Sequence, residues 1–342
     1  MNHYNKHAGI DVVIPAYNHH KVIKRCLHSI AMQTIAEDIT VIIVDDASDK
    51  PYDDIANEFR SDLKDIKIIR LDENSGPGTA RRKGYEAGEG EFVTYIDADD
   101  TFASAYAIQQ LHDTFVINRK LDAVFSIFLE ETGNKEAPFV PHVRDCTWMF
   151  GKMYRRAYLE EFDILMNDTR SNEDMGYNQL VLSCSDFIGF IDVVTYYWHS
   201  SPESITRKSD NDYQFRGLHG YIQNHTWACE ERKKRDMHKT EKGINSAIDA
   251  LIMCYMYYIE VCQMRPTDQI KECLSWCQEF YDAGIRTLDD VINDGMLQRK
   301  YMDATKVHSQ ENGILTRVIP KITFPEFVNA LKNKDAAIVY KN

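Results

Sequence analysis

The first hundred residues alternate strand-like and helix-like stretches four times with short connections, an order that few folds accept. Ile10-Asp11-Val12-Val13-Ile14-Pro15 reads as a strand closed by its proline. Ala16-Tyr17-Asn18 then turns the chain into a helical stretch from Lys21 to Gln33, where Val22, Ile23, Cys26, Leu27 and Ile30 recur at helical spacing. Thr40 to Val44 is a second apolar strand, ending in Asp45-Asp46, and a helix around Asp53–Phe59 precedes a third strand, Ile66 to Leu71. Gly76-Pro77-Gly78 opens a helix from Thr79 to Ala87, and Gly88-Glu89-Gly90 leads into a fourth strand, Phe92 to Ile96. This alternation predicts a right-handed, mostly parallel α/β sheet with helices on both faces. Ligands of such sheets bind at the carboxyl ends of the strands.

Further along, Ala123 to Leu129 and Phe187 to Trp198 read as strands, Phe139 to Val143 as an extended edge, and Gly151 to Glu161 and Met175 to Ser183 as helices. After about residue 210 strand patterns stop. Ile248, Leu251, Ile252, Tyr255 and Ile259 follow a helical period, Pro266 breaks that helix, and Thr267 caps the next, Asp268 to Tyr281. The expected division is an α/β domain over residues 1–209 and a mainly helical region over 210–342.

Composition narrows the class. The 342 residues suffice for one large domain or two ordinary ones, and 44% hydrophobic with 27% charged residues is globular rather than disordered. No stretch approaches the length of a membrane-spanning helix, and the polar start, Met1 to His7, lacks the apolar core of a signal peptide. Eight cysteines include no C-x-x-C pair, and Cys273 and Cys277, one helical turn apart, are expected to pack. A reduced, cytoplasmic setting is the expectation. A formal charge of −13 argues against a protein that coats nucleic acid. The basic run Arg232-Lys233-Lys234-Arg235 is interrupted on both sides by Glu231 and Asp236 and reads as a solvated helix face.

The fourth strand ends in Asp97-Ala98-Asp99-Asp100, three carboxylates within four residues. Like charges that close repel and resist desolvation, so such a strand end needs a cation or a solvated loop. Hard divalent ions bind carboxylate oxygens and share them with substrate phosphates, which makes Mg2+ or Mn2+ with a diphosphate the expected occupant. A solvated acidic turn is the alternative.

Six motifs stand in one order: Val12-Val13-Ile14-Pro15-Ala16-Tyr17-Asn18, Val44-Asp45-Asp46-Ala47-Ser48-Asp49, Asn74 through Ala80-Arg81 to Gly84, Asp97-Ala98-Asp99-Asp100, Glu173-Asp174, and Tyr196 through His199 to Ser204-Ile205-Thr206. In that order they resemble the family 2 glycosyltransferases, inverting enzymes of the nucleotide-diphospho-sugar-binding GT-A fold. The resemblance spans roughly residues 10–208. It implies a GT-A catalytic domain followed by a helical region for acceptor binding or oligomerisation, and a nucleotide-diphosphate sugar as donor, UDP-linked by default.

The resemblance also implies roles. Pro15, Ala16, Tyr17 and Asn18 would wall the base pocket, Asp46 would accept from the ring N–H of the base, and Asp45 would touch the base or orient the loop. Arg81 would contact the nucleotide, Asp97 with neighbouring Ala98 would reach the ribose or the metal through water, and Arg207 would close over the diphosphate. Asp99 would ligate the metal directly, with His199 as a third ligand as in some metal-dependent members. Inverting transfer needs one carboxylate to take the acceptor proton. Asp174 is the candidate for that base and Glu173 for acceptor orientation, the alternative being an acidic helix start stabilised by the dipole. Trp148 would stack on an acceptor sugar or serve as a core residue. The expected acceptor is a glycan or glycolipid. The same chemistry on a modified nucleobase in DNA, or a non-catalytic nucleotide-sugar-binding or scaffold protein of the same fold, is the alternative.

Overall fold

The computed structural model describes residues 9–200, 212–264, 267–310 and 322–335. The chain divides into two units, Met1–Arg207 and Lys208–Asn342. In the first, the four expected strands are parallel and lie in the order β3 (Asp65–Arg70), β2 (Ile39–Asp45), β1 (Ile10–Ala16) and β4 (Phe92–Tyr95). The sheet then turns mixed. β8 (Lys152–Arg155) runs antiparallel to β4 and to β6 (Ala123–Glu131), β9 (Ile188–Trp198) lies parallel to β6, and β5 (Thr101–Phe102) and β7 (Phe139–His142) pair antiparallel with β9 and β6.

β1 and β2 are buried on both faces, which is why they read as unbroken apolar runs. Ile10, Val12, Ile14, Ile39, Val41 and Ile43 face α1 (Ile23–Ala31) and α4 (Ala107–Ile117), with α2 (Asp53–Asn57) contributing Ala56 to the same core. Their neighbours Val13 and Val44 face α3 (Pro77–Ala87) across Gly84. A Cβ on Gly84 would stand 2.3 Å from Val13 Cγ1, so only glycine lets the helix lie this close.

The segment Gly151 to Glu161, expected to be one helix, is instead a turn, β8 and the short helix α5 (Arg156–Glu161). Gly151 has φ +63, and a Cβ there would stand 2.6 Å from Ser126 Oγ. Lys and Arg at the ends of β8 masked its alternation, because both are good helix formers. Both are buried and paired: Lys152 reaches Asp145 at 3.3 Å and Arg155 reaches Glu91 at 2.7 Å. The helix α6 (Glu173–Cys184) starts two residues earlier than expected, and its Tyr177 ring meets Tyr95 of β4 and Tyr154 of β8 edge-on.

The second unit is helical throughout its described residues: α7 (Asp212–Lys234), α8 (Glu241–Met264), α9 (Thr267–Phe280), α10 (Asp294–Gln310) and α11 (Phe324–Asn333). Its core holds the crowded aromatic segment of α8. Tyr255 is fully buried, packs on Tyr301, Phe324 and Phe327, and donates to the Ile322 carbonyl at 2.8 Å. A capping box between Thr323 and Glu326 starts α11. Cys273 and Cys277 are both buried in this core. The basic run is not a uniform solvated face: Arg232 is 1% exposed, while Lys234 and Arg235 pair with Glu231 at 2.6 and 2.5 Å. No described helix is long and apolar enough to cross a membrane.

Candidate active site

The carboxyl ends of β2, β1 and β4 lie side by side, and the loops that leave them are bonded to one another. The Asp46 N–H donates to the Ala16 carbonyl at 2.9 Å, and the Ile96 N–H to Val13 at 3.1 Å. Asp46, 4% exposed, accepts the N–H groups of Ser75 and Gly76 at 2.7 and 2.8 Å, fixing the loop that enters α3. Asp45 is fully buried, holds the Ser48 N–H at 2.8 Å and pairs with Arg70. Asn18, at φ +58, accepts from the Asp49 N–H at 2.9 Å while its own N–H donates to Ser48 Oγ at 2.9 Å. Ala16 is buried beneath this loop, Pro15 is half-buried, and the Tyr17 ring is exposed.

At the tip of β4 the three carboxylates separate by environment. Asp100 is buried, accepting from the Tyr196 hydroxyl at 2.6 Å and the His199 N–H at 2.8 Å, so it ties the tip to the end of β9. Burial, then the charges of Asp97 and Asp99, hold its carboxyl well above the usual range. Asp97 is partly exposed and bonded to Arg81 at 2.6 Å. Ala98 is buried in the core between them. Asp99 is raised as well, by burial and by Asp97, against the opposing charges of His19 and Arg25. The Arg25 guanidinium also bonds the Asp99 carbonyl. His19 and Arg25 carry no motif the sequence reading used, and only the fold brings them to this tip.

His199, expected as a third metal ligand, has both ring nitrogens engaged inside the protein. Its Nε2 shares a hydrogen bond with Thr101 Oγ1 at 2.8 Å, and its Nδ1 lies 3.4 Å from Glu131. Among the described residues no three His, Cys, Asp or Glu side chains converge on one point. The Asp99 carboxylate could offer oxygens to a divalent ion at this tip. That suits Mg2+ or Mn2+, which bind through one or two carboxylates plus phosphate oxygens and water. Arg207 lies outside the described residues.

Glu173 and Asp174 form the first turn of α6, behind Asn172 in the left-handed region at φ +57. Arg81, 5% exposed, reaches Glu173 with one guanidinium nitrogen and Asp97 with another. Burial opposes its charge, but Asp97, Glu173 and Asp174 together keep it firmly protonated. Asp174 is pushed up to about 8, by burial first and by Glu173 second, while Arg81 and the Met175 N–H pull the other way.

Trp148 stacks on Phe150 at 5.7 Å and lies 5.0 Å from Trp198, half-buried in an aromatic cluster. The loop that carries it is bolted to α6 by Asn178, which donates to the Thr147 and Trp148 carbonyls at 3.0 and 2.9 Å and accepts from Tyr154 at 2.6 Å. Nothing in the sequence around Asn178 or the buried Lys152 signals these contacts, since each pairs with a residue outside its own element.

Residues 11–172 match the family model described as glycosyl transferase family 2. A 252-residue stretch is 26% identical to the putative glycosyltransferase EpsH of Bacillus subtilis, covering 68% of this chain and 72% of EpsH. Another, of 204 residues, is 30% identical to the poly(ribitol-phosphate) beta-N-acetylglucosaminyltransferase TarS of Staphylococcus aureus, covering 56% of this chain and 35% of TarS. The alignment thus spans about a third of the length of TarS. Among solved structures, S. aureus TarS 1-349 in complex with UDP-GlcNAc is similar with a TM-score of 0.65 at 17% identity, covering 89% of this chain and 92% of that one. The mannosyltransferase PcManGT of Pyrobaculum calidifontis, in complex with GDP-Man and Mn2+, gives 0.51 at 14% identity, covering 84% and 89%. Likeness at these identities establishes the fold, and the family match establishes the domain: over residues 11–172 the chain carries a glycosyl transferase family 2 domain, a glycosyltransferase of the GT-A fold.

Proposed function

We propose that the chain transfers a sugar with inversion from a UDP-sugar to a hydroxyl of a glycan or glycolipid acceptor, with Asp174 as the general base. The observation that carries this reading is the pair of carboxyl environments joined through Arg81. Asp97, neighbour of the proposed metal ligand Asp99, sits on the donor side, and the buried, raised Asp174 sits at the head of α6. A base works best with its pKa near the operating pH, and Asp174 at about 8 lies close to it.

In this reading the base ring rests at the Pro15–Asn18 segment against Tyr17. Asp46, whose oxygens each retain a second lone pair beside the loop N–H they accept, receives the ring N–H. Asp99 holds a Mg2+ or Mn2+ ion, which supplies Lewis-acid neutralisation of the leaving diphosphate. Asp97 orients toward the ribose side, and Arg207 is assigned to the diphosphate. Asp174 takes the proton of the attacking hydroxyl as the new glycosidic bond forms and the bond to the diphosphate breaks. Glu173 fixes the acceptor side, and Trp148 offers an aromatic face to the incoming sugar. The names of the relatives, wall-polymer transferases among them, support a polyhydroxylated acceptor. The helical unit is assigned to acceptor binding or self-association.

The test is UDP release from a panel of UDP-sugars with MnCl2, with and without EDTA. Metal-dependent release that Asp174→Asn abolishes is expected. No release from any sugar nucleotide would overturn the reading.

A further inference from the structure

We propose that Arg81 is a positioning residue for this reaction, a single guanidinium that holds the acceptor-side carboxylate Glu173 in register with the donor-side carboxylate Asp97. The inference rests on the transferase reading above. It departs from the expectation that Arg81 binds the nucleotide, because both terminal guanidinium nitrogens already meet carboxylates of the protein and only 5% of its surface is exposed.

The geometry has three parts. First, the bridge spans separate elements: Nη2 meets Asp97 Oδ1 at 2.6 Å just past β4, and Nη1 meets Glu173 Oε1 at the first turn of α6. A planar guanidinium presents N–H groups in a fixed fork, so its two arms set the spacing of the two carboxylates. A lysine ammonium on a flexible stem would not.

Second, the backbone is shaped to admit the bridge. Gly78 lies three residues before Arg81, on the same face of α3. A Cβ on Gly78 would stand 2.5 Å from the Asn167 carbonyl oxygen and 3.2 Å from Glu173 Cβ. The first turns of α3 and α6 therefore touch only because no side chain intervenes.

Third, the bridge divides labour among the carboxylates. Asp97 and Glu173 are each held by one arm of Arg81. Asp174 is bonded to the Met175 N–H at 2.8 Å and has no arm of the guanidinium. The charged and titratable groups around Asp174 are Glu173 beside it on α6, Arg81 on α3, Asp97 past β4, and Lys152 and Tyr154 on β8. One side chain thus sets the spacing between the tip of β4 and the first turn of α6.

The experiment compares wild type, Arg81→Lys, Glu173→Gln and the double variant, reading turnover as UDP release with MnCl2 and nucleotide affinity as UDP binding by calorimetry. Misplacing a reacting group by about 1 Å can cost roughly 10²-fold in rate. Arg81→Lys is expected to lower turnover by about that factor while UDP affinity changes less than about threefold. Because both residues serve one bridge, the double variant should lose far less than the product of the single losses. Affinity falling as far as turnover would make Arg81 a nucleotide ligand and overturn the proposal, as would fully multiplicative losses. Should Arg81→Lys fail to fold, Glu173→Gln alone decides. It leaves the Arg81–Asp97 arm in place and must lose turnover without losing UDP affinity. A wild type that releases UDP from no sugar nucleotide would instead remove the transferase reading, and this inference with it.

Discussion

Asp11 in β1 and Arg156 at the start of α5 meet at 2.8 Å with both side chains almost wholly buried. The same carboxylate oxygen accepts the Gly90 N–H at 2.7 Å, and Arg156 also donates to the carbonyls of Gly90 and Tyr85 at 2.7 and 3.0 Å. Residues far apart in sequence thereby join the first strand, the entry to β4 and the end of α3. Removing one partner of such a pair strands a buried charge, at a cost of roughly 3–5 kcal/mol. Asp11→Ala should lose about that much in urea denaturation, and a loss below about 1 kcal/mol would show the pair to be dispensable.

Gly84→Ala tests the closeness of α3 to the sheet. The added methyl has no room beside Val13, and overpacking of this kind typically costs about 1–3 kcal/mol. Because the clash is with one named side chain, Val13→Ala in the same molecule should recover part of the loss. Equal stability of Gly84→Ala and wild type would mean the helix shifts freely.

Asp174 makes two pH predictions with opposite practical signs. As a base it must be ionised, so kcat/KM should climb with pH and level off near its value of about 8. For stability, its folded pKa lies above the ordinary carboxylate value near 3.9 of the unfolded chain. The native state therefore binds the proton more tightly. Its contribution is full below the unfolded value and is lost as pH rises through about 8. Asp174→Asn should abolish transfer, keep UDP binding, and melt higher than wild type at pH 8 but not at pH 4. A variant that melts no higher at pH 8 would show that the carboxyl is not raised.

Asp99→Ala and His199→Ala separate the two metal assignments. Even groups one step removed from a metal typically cost about 10–100-fold in its affinity. Asp99→Ala should therefore weaken Mn2+-dependent UDP binding at least about tenfold. His199→Ala should change it far less, since its ring is held by Thr101 and Glu131. The reverse order would restore His199 as a ligand.

His225 on α7 is fully buried, is held at a pKa of about 3 by burial and by Arg232, and has no hydrogen-bond partner for either ring nitrogen. Unmet polar groups of this kind cost about 1–3 kcal/mol each. His225→Leu should be neutral or stabilising by thermal melting, and a large destabilisation would point to a bond made only in solution.

The parallel half of the sheet was legible because strands buried on both faces leave unbroken apolar runs such as Thr40 to Val44, punctuated by glycine and acidic turns. β8 was not, since four residues with Lys and Arg at the ends carry no strand signature until β4 and β6 flank them. α4 and β5 drew no expectation at all. At the site, the carboxylates of Asp46, Asp97, Asp99 and Asp174 stand out because charge at the end of an apolar strand or the head of a helix is conspicuous. What each one bonds to was hidden. Arg81 meets Glu173 across 92 residues, and His19 and Arg25 approach Asp99 only after β1 and β4 are laid side by side. Pairings at that distance are set by topology, and local patterns carry no record of them.

β4 pairs in parallel with β1 on one side and antiparallel with β8 on the other, so the all-parallel half of the sheet ends at it. Anyone building a chimaera from this chain and a relative, to give one donor a new acceptor, would naturally cross over just beyond that strand. Such a cut falls between Arg81 and Glu173. A hybrid should inherit both from one parent, or it will join two sound halves whose reacting groups no longer face each other.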